Sequence, residues 1–415
     1  MSYRHLSLGV VLTLAASSAA VFACSSSGDR SGFGDGSSGG TNGDNGGTFG
    51  NGGEAGAPGK VCAPNPANYD IPGNNCDDDG DGTIDNPPAC DDALSETGDA
   101  EDFAKAIGIC TKASEKGYGL VSATFTRGYE RNDAPKDQQH GILPKFGNVI
   151  KAREGKKLGV LSTGYAQEYD GKPGEPFGGE KDDGFNGIQY GKDWYNYGPG
   201  SPNKQGNGTA PPGFPKGAAG CPNATQANDV INLKLTLKAP PNSSGVKFDF
   251  NFFSGEWPAY ICSAFNDSFI AYLTAKGFNG GKPDNISFDK DKNPVSVNNG
   301  FFDRCTPGVE IGCAGGKTAT SQCPGGANEL AGTGFGIVDQ WCAAYDPFGN
   351  GGAQSVNGGA TGWLTSQAPV QGGEEFTLEF MIWDTGDGIL DSSVLIDNFT
   401  WAEGEVTTAT DRPPR

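Results

Sequence analysis

Acidic side chains recur in this chain at spacings that suit a hard cation. In the stretch 76–85, Asp77, Asp79 and Asp81 alternate, Gly82 supplies a sharp turn, Thr83 offers a carbonyl and Asp85 follows apolar Ile84. That is the order of ligands in a calcium loop through its ninth place. The twelfth place, where a bidentate Glu belongs, holds Pro88, and Pro87-Pro88 forbids an exiting helix, so the segment is not an EF-hand. A second acidic set, Asp384, Asp387 and Asp391, falls between two apolar segments. A turn there brings carboxylates together, and like charges so gathered are costly without a cation. Glu256, Asn266 and Asp267 stand beside the apolar runs Phe252-Phe253 and 269–273, and a buried acid needs a partner. The competing reading of all these groups is turn capping or a solvated acidic spacer.

Candidates for catalysis are fewer. Beyond the first 23 residues His140 is the sole histidine, so a Ser-His-Asp triad would have to use it and a multi-histidine zinc site is impossible. Glu256 with Asp267 is the carboxylate pair left for an alternative function, hydrolysis of a surface polysaccharide. Binding has a richer set in the Gly- and Pro-rich stretch 165–222, whose aromatics include Tyr190, Trp194, Tyr195 and Tyr197. Such rings can stack on sugars or anchor a protein partner, and equally can pin a long loop to its scaffold.

The elements that must position these groups are strands. Ile231, Leu233, Leu235 and Leu237 alternate with polar residues, as do Val246, Phe248, Phe250 and Phe252. Period two predicts antiparallel sheet with one buried and one solvated face. Further strands are predicted over 118–125, 158–162, 268–273, 294–298, 376–383 and 393–401, and one short helix after Asp99, whose carboxylate can cap it. The expected fold is all-β, an antiparallel two-sheet sandwich of jelly-roll type with long disulfide-stapled loops.

The N-terminus reads as an export signal. Arg4 precedes a short apolar run, and Val21-Phe22-Ala23-Cys24 resembles the lipobox of bacterial lipoproteins. Residues 1–23 are therefore expected to be removed and Cys24 lipidated, which anchors the chain to a membrane. Ser25 after the Cys points to the outer membrane and surface exposure. Residues 24–60, almost all Gly, Ser, Asn, Asp and Thr, read as a flexible tether. A Cys-bounded acidic segment at 61–92 and a sandwich at 93–405 follow. With 50 acidic against 30 basic residues the formal net charge is −20, which excludes a nucleic-acid partner and favours divalent cations. Setting Cys24 aside leaves ten cysteines, an even number without CxxC spacing, as a disulfide framework in an oxidising compartment requires.

Several motifs resemble a known family. Ser254-Gly255-Glu256-Trp257, followed by Asn266-Asp267-Ser268-Phe269, is similar to the SEEY and NDxF signatures of the choice-of-anchor L domain. Leu161-Ser162-Thr163-Gly164, Val297-Asn298-Asn299 and the acidic run from Trp383 to Val394 resemble its other motifs, in the same order. The resemblance implies a secreted bacterial surface domain carried on varied anchors, with no established enzymatic activity. The acidic segment resembles the DxDxDG calcium repeats of thrombospondin-type stalks. The combined expectation is a cell-surface lipoprotein, a calcium-stabilised adhesion module for glycan or protein.

Overall fold

The structure is a computed structural model in which the described residues are 62–166, 208–257, 260, 262–298, 301, 310–311, 319–320, 329–333, 335, 359–386, 388 and 391–413. The chain divides into units 1–46 and 47–415, and all described residues belong to the second. Cys24, the tether, Asp387, the aromatics Tyr190, Trp194, Tyr195 and Tyr197, and Cys305, Cys313, Cys323 and Cys342 lie outside the described residues.

Two large antiparallel sheets carry the fold. The first runs in the order Gly119–Thr126, Ala227–Lys238, Glu375–Thr385, Ser268–Thr274, Val295–Ser296, with Asp284–Asn285 also paired to Ser268–Thr274. The second runs Ala409–Asp411, Leu364–Pro369, Gly245–Ser254, Ser392–Ala402, Leu158–Ser162, His140–Leu143, with Gly359–Ala360 added to Gly245–Ser254. The alternation explains which side chains meet. Ile231, Leu233, Leu235, Leu237, Phe269, Phe376, Phe380 and Ile382 of the first sheet share one core with Val246, Phe248, Phe250, Phe252, Val394 and Ile396 of the second. Phe248 meets Phe380 edge to face at 4.9 Å, so the inner faces interdigitate as in a β-sandwich.

The expected helix forms over Ala100–Ala106, and Asp99 caps it by accepting from the Asp102 amide at 3.0 Å. It buries Phe103 and Ile107 against the edge strand Gly119–Thr126 of the first sheet and against Leu158–Ser162 and the edge strand His140–Leu143 of the second, closing one side of the sandwich. A further single turn occupies Ala113–Lys116. Among the described residues, disulfides join Cys62 to Cys76, Cys90 to Cys110 and Cys221 to Cys262. The acidic segment is tied down as well: Tyr69 exchanges two hydrogen bonds with the Asn242 side chain and Ile71 joins the sandwich core.

The solvated outer face departs from expectation. Asn232, Asp249 and Asn251, placed on that face by period two, are no more than 2% exposed. Long connections cover both sheets: Phe146, Ile150, Leu330 and Phe335 pack on Val160, Phe253 and Leu395, while Phe214 and Tyr129 pack near Tyr272 and Trp383. The covered polar residues find partners. Asn232 donates to Glu379 at 2.7 Å, and Asp249 accepts from Asn398 and pairs with Arg153. Among the described residues no helix is long and apolar enough to cross a membrane.

Candidate metal centre

Strand parity gathers acids at one end of the sandwich. Extending the inward positions of Phe376, Leu378, Phe380 and Ile382 by one step reaches Asp384. The same step from Phe269 reaches Asp267, from Phe252 reaches Ser254, and from Val394 reaches Ser392. Register aligns these ends: Asp384 faces Asn228, Trp383 faces Ser268, Ser392 faces Ser254 and Ser393 faces Ser162. Asp229 joins them through a bulge opposite Ile382 to Asp384, with its own backbone at φ 48°. Bulges re-aim side chains, and a left-handed Asp in a buried strand is a strained position of the kind found at sites.

The result is a dry pole holding Asp229, Asp267, Asp384 and Asp391, each no more than 2% exposed. Neither Asp384 carboxylate oxygen has a partner at hydrogen-bond distance, the neighbouring Thr163 hydroxyl being engaged with the Ser392 backbone, and its register partner Asn228 has no partner on its amide oxygen or nitrogen. Burial pushes the Asp384 carboxyl well above its usual range, and the charges of Asp267, Asp229 and Asp391 push it further; the Thr163 hydroxyl opposes them weakly. A carboxyl so placed favours its protonated form or a shared cation.

Neighbouring groups fix the frame. Asp267 accepts from the Ser392 hydroxyl at 2.6 Å and the Thr385 amide at 3.2 Å, and its own amide donates to Glu256 at 3.2 Å. Ser162 donates to the Ser392 carbonyl at 3.0 Å, and the Ser392 amide donates to Thr163 at 2.9 Å. Gly164 is required here, since a Cβ would stand 2.4 Å from an Asp391 oxygen. The Cys262 amide donates to Asn298, and the Cys221 bridge holds this corner. The sequence motifs at 161–164, 254–257, 266–269, 297–298 and 383–394 thus meet at one place.

Of the expected residues, Asp384 and Asp391 come together, and they do so with Asp267. Glu256 is buried and bound to the Asp267 backbone; Asn266 is buried with its amide oxygen unpartnered. Asn228 and Asp229 were not expected. Their signal was parity, because Asp229 is one step outward from the inward-facing Ile231 along the same strand.

The acidic segment is a separate, exposed arrangement. Asp77, Asp79 and Asp81 bring one carboxylate oxygen each within 4.8 Å of one another, and among the described residues no other trio of acidic, His or Cys side chains converges so tightly. Asp77 accepts from the amides of Gly80, Asp81 and Gly82, Asp79 from Asp81, and Asp81 from Thr83. Asp85 turns away to accept from the amides of Gly73, Asn74 and Asn75. His140 stacks on Phe125 at 4.0 Å, and burial lowers its pKa.

No curated protein and no solved structure matches this chain. The upstream strand Leu158–Ser162 and its Ser162-Thr163-Gly164 end complete the second sheet and the pole from outside residues 218–400. Residues 218–400 match the family model of the Choice-of-anchor L domain, and over that stretch the chain is similar to that family.

Proposed function

We propose that this protein is a bacterial cell-surface binding module whose sandwich is held together by a calcium ion at the buried acidic pole. The observation that carries the reading is Asp384, buried and without a donor on either oxygen, amid Asp229, Asp267 and Asp391. The donor set is oxygen only, which suits calcium over zinc or copper. Asp384, Asp391, Asp267 and Asp229 would hold the ion by closing in from their present wider spacing, since no three of these carboxylates meet within 4.8 Å; the Asn228 side chain, opposite Asp384 in register, would join them, and Asn266 and Asp387 are proposed as further ligands. A second, weaker calcium site at Asp77, Asp79 and Asp81, with Thr83 and Asp85 behind them, is supported by the convergence of the first three.

The similarity to the Choice-of-anchor L domain supports placement at the cell surface. Anchoring through lipid on Cys24, to the outer membrane, is proposed from the lipobox-like end of the leader. Adhesion to a glycan or surface protein, with Tyr190, Trp194, Tyr195 and Tyr197 as contact residues, is proposed on their composition alone. The alternative hydrolase would use Glu256 and Asp267. Their burial and their bonds to Ser392, Thr385 and each other favour a structural role.

Thermal melting in calcium and in chelator tests the metal reading. Because the site exists only in the folded chain, calcium at a hundredfold excess over its dissociation constant adds about 2.7 kcal/mol. Asp384→Asn should remove most of that gain while raising the melting temperature in chelator, since it relieves repulsion. Equal calcium shifts in both proteins would overturn the reading.

A further inference from the structure

Opposite the capping helix, the sandwich has a second open side, where the edge of the first sheet meets the edge of the second. The two edges are stitched by Ser287 to Ser366 at 2.9 Å and by the Phe288 amide to Thr410 at 3.2 Å. Beside this seam lies a pocket of about 400 Å³, within the size range of small-ligand sites. Phe214, Phe278, Phe288 and Pro294 give it apolar walls, and Lys216 and Lys292 outnumber the single carboxylate of its lining, Asp284.

The two lysines are out of character for the molecule. In a chain of net charge −20, neither is ion-paired to a carboxylate among the described residues. Instead the Lys216 ammonium donates to the Lys292 carbonyl at 3.2 Å, which draws two positive charges to one rim. The Lys292 ammonium lies 3.6 Å over the Phe288 ring, and desolvation lowers its pKa despite the opposing charge of Asp284. Lys292 also holds φ 62°, a left-handed conformation that Asp289 braces by accepting from the Asp291 and Asn293 amides at 2.9 Å. A non-glycine residue held there at a pocket rim is where strain tends to mark a site.

Flat aromatic walls take the apolar face of a sugar ring, and paired ammonium groups beside them take a carboxylate. We propose that this pocket binds the carboxylate-bearing ring of an acidic sugar, a hexuronate. The proposal rests on the reading of the protein as a binding module and gives that module a site and a ligand class. Binding would exploit two lysines against one carboxylate at the pocket of a chain whose net charge is negative.

Calorimetric titration of the full chain with a glucuronate-containing disaccharide tests it, with the methyl ester of that disaccharide and with acetate as comparison probes. The disaccharide should bind, and the ester and acetate should each bind at least about tenfold more weakly, the ester lacking the charge and acetate lacking the ring. Lys216→Met with Lys292→Met, which keeps length and removes charge, should lose binding by a similar factor, and Phe288→Leu should weaken it. No binding by the wild type, equal binding of ester or acetate, or unchanged binding by the double lysine variant would overturn the proposal. Calcium-dependent melting measured on the same samples separates the two readings: loss of the calcium shift with retained sugar binding removes the metal centre alone, and the converse removes the sugar site alone.

Discussion

The hydroxyl of Ser392 donates to the carboxylate of Asp267 at 2.6 Å, and in doing so it links the two sheets of the sandwich at their acidic end. Ser392 opens a strand of the second sheet, while Asp267 immediately precedes a strand of the first. Asp267 is thereby fixed as one wall of the pole, and its charge, with those of Asp229 and Asp391, acts on buried Asp384 and sets the electrostatic problem that a cation would solve.

Gly164 tests the geometry of that wall. Gly164→Ala puts a methyl group 2.4 Å from an Asp391 oxygen, so the carboxylate must move. The hydrophobic core is untouched, and the variant should keep its far-ultraviolet circular dichroism while losing most of the calcium-dependent rise in melting temperature. Full retention of that rise would mean that Asp391 is not a ligand.

Asp397 gives a pH dependence away from the pole. It accepts from the amides of Arg153 and Asn398, both at 2.6 Å, yet burial wins and its pKa is pushed from 3.8 to about 7. A raised folded-state pKa contributes stability that is complete below about pH 4 and is lost as pH climbs through about 7. Asp397→Asn removes this dependence. Its melting temperature relative to wild type should therefore rise between pH 4 and pH 7 and level off above; a constant difference across that range would contradict the assignment.

The Cys221 to Cys262 bridge spans 41 residues and ties the corner beside the pole. On the chain-entropy account a closed loop of that length is worth roughly 4 kcal/mol, so replacing both cysteines by serine should lower the melting temperature markedly. Peptide mapping without reduction should recover this linkage together with Cys62 to Cys76 and Cys90 to Cys110.

Much of the fold was legible because the alternation is strong. The strand expected at 158–162 forms over Leu158–Ser162, and that at 268–273 over Ser268–Thr274. Leu364–Pro369 escaped because its paired positions carry Thr365, Ser366 and Gln367, which are buried by covering segments and so break the apolar period. Asn232 and Asp249 misled for the same reason: local pattern reports the sheet's own two faces and cannot see a loop laid over one of them. At the pole, Asp384, Asp391 and Asp267 stood out by type. Asp229 sits at the parity position of inward-facing Ile231, but the pairing there is broken by a bulge set by a strand more than a hundred residues away, and that hid it.

Cys24 carries the anchoring proposal. Cys24→Ala should shift the protein from the membrane fraction to a soluble or unprocessed form, because a lipid on that residue is the attachment inferred from the leader. Unchanged fractionation would remove the lipid anchor from the account.

The buried centre itself is best tested by crystals grown with calcium and measured at a wavelength where calcium scatters anomalously. The account predicts a peak bounded by Asp229, Asp267, Asp384 and Asp391, with ligand oxygens at about 2.3 to 2.6 Å and Asp384 among them. Ordered crystals with no peak at that pole, and with the carboxylates instead hydrogen-bonded to one another or to water, would contradict it.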